Sequence, residues 1–256
     1  VAATLALVAF AISYAKRSGT AASSAAPGAV APGQAHPTTA PGEHGRLLPV
    51  PPAPTGSGDY QLMIHQPGAP NTPVGFDPCR AVHFVVNPAG APADGVAQVR
   101  DAFETVSRAT GLKFVDDGTT TESPSRDRPD YEPRRYGDRW APILIAWSDE
   151  TRYPDLAGYI AGVGTPHPVQ TVDGHLVLTS GQVVLDGAQL DPLQMPDRTE
   201  ARALLLHELG HVVGLAHTAD RTEIMFSEAQ LTVQDYGPGD LMGLRAVGSR
   251  SCDPDL

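Results

Sequence analysis

The stretch "LLLHELGHVVGLAHTADRTEIMF" runs from Leu204 to Phe226 and spaces three histidines unevenly, four residues from His207 to His211 and six from His211 to His217. Leu205, Leu209, Val212, Val213 and Ala216 recur at intervals that predict a helix with one apolar stripe. An i to i+4 pair of imidazoles on such a helix shares a different face, where both rings reach one ion. A residue at i+10 cannot share that face, because ten residues of helix turn through about 1000°, some 80° short of three full turns. The chain must therefore leave the helix before the third histidine. Gly214 is suited to that departure, since glycine enters the left-handed conformation that ends helices. Four residues is the helix, six is the turn, and His217 approaches from another side.

Three neutral imidazoles with one coordination position open form the ligand set of a catalytic zinc. They leave the ion's double charge intact, so water bound there ionises near pH 7 instead of about 15.7. Glu208 stands beside His207 and is the expected general base, accepting the water's proton and passing it to the departing amine. The bland alternative is an amphipathic helix with incidental histidines. With Gly214 and His217 both required, coincidence falls below about one chain in ten thousand.

"HELGHVVGLAH" followed by Met225 resembles the metzincin pattern H-E-x-x-H-x-x-G-x-x-H with its Met-turn, and the step from His217 to Met225 resembles the matrixin branch. The chain is similar to secreted actinobacterial matrixin-like proteases. The resemblance implies an α/β (α+β) catalytic domain: a twisted mixed sheet of about five strands, the active-site helix, the Met-turn and a C-terminal helix in "GPGDLMGLRAVG". It implies His207, His211 and His217 as zinc ligands, Met225 as an apolar floor beneath the ion, and a peptide substrate extended along a sheet edge, for which Ala157 to Gly164 is the candidate. A second, structural zinc at His167, Asp173 and His175, and calcium at Asp116, Asp117, Asp149, Asp155 or Asp173, stay open. The sequence departs from the family at Thr218, where serine is usual, and at Phe226-Ser227, where Tyr-Pro is frequent. No "PRCGxPD" propeptide motif is present, so latency by that device is not implied.

The rest of the chain agrees with an exported enzyme. Its formal charge of −11, from 18 basic and 29 acidic side chains, argues against a nucleic-acid partner, which needs clustered Lys and Arg. Residues 1–17 open with an uncharged apolar run that ends at Lys16-Arg17. The run is shorter than the roughly 20 residues of a membrane span and reads as signal peptide or signal anchor. Residues 18–72 are rich in Pro, Ala and Gly and read as a disordered tether, leaving 73–256 as the catalytic domain. Cys79 and Cys252 are the only cysteines. An even count in an exported chain favours a disulfide, with two separate thiols, or Cys79 as a zinc-blocking ligand, as alternatives.

Along the domain, "AVHFVVN" (81–87), "LKFVDD" (112–117), "PILIAWSD" (142–149), "AGYIAGVG" (157–164) and "GQVVLD" (181–186) read as strands. Residues 94–110 read as a helix stopped by Gly111, and "DRTE" from Asp197 to Glu200 as a capping-box start of the second helix. The expected function is a monomeric zinc endopeptidase, secreted or membrane-tethered by its N-terminal segment. Two alternatives remain: a zinc amidase acting on cell-wall peptides, and a tethered binding module that keeps zinc for structure.

Overall fold

The computed structural model describes residues 36–37, 45–171, 174–190, 198–228 and 232–253. The apolar run 1–17, Asp173 and the cap residue Asp197 lie outside them. Among the described residues no helix is long and apolar enough to cross a membrane.

Three short strands come first, β1 (Gln61–Leu62), β2 (His65–Gln66) and β3 (Ala69–Pro73). Next are β4 (Val82–Asn87), α1 (Gly95–Thr110), β5 (Phe114–Thr119), the single-turn α2 (Pro133–Tyr136) and β6 (Ile143–Ser148). β7 (Gly162–Gln170), β8 (Leu176–Asp186), α3 (Arg198–Val213), β9 (Leu215–Ala216) and α4 (Pro238–Gly248) complete the order. The main sheet has five strands in the order β5-β4-β6-β8-β7. Its first four run parallel, and β7 returns antiparallel to β8. This is the mixed sheet expected from the sequence.

One face of the sheet carries the helices. Val99, Phe103 and Val106 of α1, Leu205, Leu209 and Val212 of α3, and Leu244 and Val247 of α4 join Phe84, Ile145 and Val183 of the sheet in one apolar cluster. Gly111 ends α1 in the left-handed conformation, with φ 70°, as its position predicts. α3 differs from the expected amphipathic helix, because every residue from Leu204 to Val213 is buried. Its histidine face is therefore an interior surface. Ala216 lies past the helix end, in β9.

Two strand boundaries are corrected. β7 begins at Gly162, not Ala157, and takes in His167, because Pro154–Leu156 forms a 3-10 turn that delays the extended chain. β8 starts at Leu176, five residues before the segment that its apolar run marked. The sheet edge that the sequence placed at 157–164 is thus the outer edge of 162–170.

The boundary at residue 73 is also corrected, since the chain from Gly45 onward lies against the domain. Arg46 donates to the carbonyls of Leu48, Gly248, Arg250 and Gly111. Arg245 donates to Pro51 O at 2.9 Å, and β1 pairs antiparallel with β9. Composition suggested a tether because this segment carries few apolar side chains. Its order comes from arginine side chains bonded to carbonyls, the β1–β9 pairing, close glycine contacts and the packing of Leu62 and Ile64 on the core, most of which an apolar count does not register.

Cys79 and Cys252 form a disulfide with a Cα separation of 5.4 Å. It ties the approach to β4 to the chain after α4. Cys79 is 1 % exposed, so the reading of Cys79 as a zinc-blocking thiol does not hold.

Candidate metal centre

α3 presents His207 and His211 one turn apart, and the chain then turns at Gly214, with φ 117°. A side chain at Gly214 would also meet Val74 O at 2.8 Å, so glycine is required there on two counts. The turn carries His217 back over the helix. The three Nε2 atoms lie 3.1 Å (207 to 211) and 3.2 Å (207 to 217 and 211 to 217) apart.

His207 Nδ1–H donates to Ile224 O at 2.7 Å, and His211 Nδ1–H to Leu215 O at 2.8 Å. The Nε2 atoms of these two rings are consequently bare acceptors, and the contact between them is not a hydrogen bond. Burial pulls His207 down to about 4 and His211 well below the usual histidine value, and it lowers His217 as well. The rings are neutral at pH 7, and lone pairs converge that repel one another unless a cation lies between them. A tetrahedral zinc with Zn–N bonds of about 2.0–2.1 Å spaces its nitrogens by about 3.3 Å. The residues fit the ion.

Glu208 is fully buried, and among the described residues neither carboxylate oxygen has a hydrogen-bond partner. Burial pushes its carboxyl up to about 8, and the nearby Gly164 N–H counteracts this only in part. The edge strand β7 presses on it. A side chain at Gly162 would meet Glu208 Oε1 at 2.8 Å, and one at Gly164 would meet Glu208 O at 2.2 Å. These glycines therefore mark a close approach, and the register shift of β7 lies elsewhere, between His167 and Pro168.

Gly210 admits a side chain against the helix: an added Cβ would stand 2.4 Å from Met225 Sδ. Met225 thus packs under the helix between His207 and His211. Its turn closes where Thr218 N–H donates to Met225 O at 3.0 Å.

Two carboxylates that hold this turn were not picked out from the sequence. Asp240 accepts the N–H groups of Ile224 at 2.6 Å and Met225 at 3.3 Å, while Glu223 accepts those of Gly239 and Asp240 at 2.9 and 2.8 Å. Pro238 at the first helical position and Asp240 two residues on mark a helix start. No local pattern shows that Asp240 also reaches back fifteen residues to carry the peptide that accepts from His207.

The other ligand candidates do not converge. His167 pairs with Asp130 at 2.6 Å. Asp116 pairs with Arg100, Asp117 with His83 and Arg139, Asp149 with Arg152, and Asp155 with Arg126. Asp173 falls outside the described residues. Among the described residues the only other cluster of three possible ligands is Asp77, Cys79 and Cys252, and its two sulfurs are bonded to each other.

No curated protein sequence matches the chain significantly. Residues 157–238 match the profile of the matrixin family, a family of zinc metallopeptidases. The match spans the edge strand, all three histidines, Glu208 and Met225, so the part of the chain that carries the site is similar to the matrixin family.

Proposed function

We propose that the protein is a zinc-dependent endopeptidase in which Glu208 is the general base. One observation carries the reading: His207 and His211 on helix α3 and His217 past its end bring three ring nitrogens together, and the same helix carries Glu208, a buried carboxylate with no hydrogen-bond partner among the described residues. A zinc ion held by His207, His211 and His217 supplies Lewis acidity toward water and toward a carbonyl oxygen. Ile224 O and Leu215 O fix two of the rings with Nε2 facing inward, so the site is organised before anything binds. Burial raises the Glu208 carboxyl, and a cation held by the three imidazoles would lower it again, so that its carboxylate takes a proton from the attacking water and returns it to the leaving amine. β7 is the terminal strand of the sheet, and its outer edge offers backbone pairing to an extended peptide.

A structural zinc in a binding module has no use for an unpaired carboxylate at this cost, so Glu208 favours catalysis. The disulfide and the apolar N-terminal run support a location outside the cytoplasm. Zinc content and cleavage of a peptide library, measured for wild type and Glu208→Ala, test the proposal. One zinc per chain is expected in both, with cleavage reduced about 10²- to 10⁴-fold in the variant. Equal cleavage would remove Glu208 from the role of base. A zinc-free wild type would remove the metal site.

A further inference from the structure

We infer that the segment from Gly45 to Ile64 is a positioning element for the third histidine, so that zinc retention depends on this strap being docked; the inference rests on the three-histidine zinc site proposed above. The strap lies along α4 and reaches the metal-binding turn. Near its start Arg46 reaches the carbonyl of Gly248 at the end of α4, and Pro51 O accepts from Arg245. It then crosses the start of α4 through backbone contacts that admit no side chain. A Cβ on Gly58 would stand 2.2 Å from Glu223 Oε1 and 2.6 Å from Gly239 N, and a Cβ on Gly239 would stand 2.5 Å from Asp59 O. Tyr60 packs on Gly243, where an added Cβ would be 2.9 Å from the ring.

Beyond this crossing the strap becomes β1. Gln61 pairs with Ala216 and Leu62 with Leu215, and Met63 N–H donates to Gly214 O at 2.8 Å. Those three partners are the whole of the turn between Val213 and His217. Leu215 O is also the acceptor that orients His211. Glycine at 214 gives this turn freedom that must be restrained if His217 is to stay over the helix. Among the described residues β9 has β1 as its only strand partner, and two residue pairs plus one hydrogen bond supply restraint there. The segment that composition marks as tether is in this way the outer wall of the metal site.

The test uses the full chain. Zinc affinity is read by chelator competition, and amide exchange is followed at residues 215–217 and in β6 and β8. Met63→Pro removes the N–H donated to Gly214, whereas Met63→Leu keeps it. Arg46→Ala loosens the strap at its far end. Met63→Pro is expected to weaken zinc binding about tenfold and to speed exchange at 215–217 but not in β6 or β8. Met63→Leu should stay within about twofold of wild type, and Arg46→Ala should weaken zinc binding in the same direction as Met63→Pro but by less. If Met63→Pro does not fold, Tyr60→Ala, which removes the ring packed on Gly243 next to β1 and leaves Glu223 in place, carries the same expectation. A folded variant with wild-type zinc affinity and exchange, beside a wild type that binds one zinc, overturns the strap's role alone. A wild type that binds no zinc overturns the histidine site and this inference together.

Discussion

Two buried carboxylates in this domain have opposite surroundings. Glu122 is held by Arg128 through Nε at 2.7 Å and NH2 at 3.3 Å, and by the Tyr136 hydroxyl. Arg128 saturates its remaining donors on Ser180 Oγ, Gly181 O and Pro142 O. Glu208 has no such partner. The two titrate accordingly: burial raises Glu122, but Arg128 more than offsets it and holds the group below its ordinary value, while Glu208 is driven up to about 8. A buried charge that the chain satisfies fixes structure, and one left unsatisfied is held for something the chain does not contain. The Glu122 cluster packs the loop between β5 and β6 onto the sheet, a task suited to internal saturation.

The comparison breaks first at Glu208. Glu208→Gln should reduce turnover about 10²- to 10⁴-fold, while thermal unfolding of the zinc-free chain shows no loss of stability, because the substitution removes an unpaired buried acid. A stability loss comparable to that expected at Glu122 would erase the distinction. Arg128→Ala, which leaves Glu122 buried alone, should cost about 3–5 kcal/mol in urea unfolding, with cleavage per folded molecule unchanged. Replacing both partners by apolar residues should recover most of that loss.

Zinc supplies the missing charge on one side only. At a concentration about 100 times its dissociation constant the ion should stabilise the chain by about 2.7 kcal/mol, read as a rise in unfolding temperature that His217→Ala abolishes and Arg128→Ala retains. The smallest effect concerns the carboxylates behind the Met225 turn. Burial, and then the charge of Glu223, raise Asp240 to about 7. The folded chain keeps this proton to about pH 7, whereas the unfolded chain releases it near pH 4. Asp240 therefore contributes its stabilisation fully below about pH 4 and loses it as pH rises through about 7. Glu223→Gln removes the repulsion, and the fall in stability between pH 4 and 7 should be shallower than in wild type. An unchanged slope would show that burial alone sets Asp240.

Much of the site was legible in the sequence because helical geometry is local. The spacing of His207 and His211, the break at Gly214 and the return of His217 follow from residues per turn and from glycine's freedom at positive φ. Helix α1 was readable from its apolar period, and strands β4 and β6 from runs of β-branched and apolar residues that strands buried on both faces require. The strap was misread because its order resides in arginine-to-carbonyl bonds, a two-residue strand pairing and close contacts at glycines, which composition does not register.

The sequence by itself determined that three imidazoles and a carboxylate share one helix and one turn. Only the tertiary structure decided what holds them there: Ile224 O and Leu215 O on the rings, Asp240 beneath the Met225 turn, β7 against Glu208, and β1 beside the third histidine. Those partners lie from four to more than a hundred residues away in the chain. Hydrogen-bond complementarity over such distances leaves no periodic trace, because it depends on where the chain returns and not on what stands next to it.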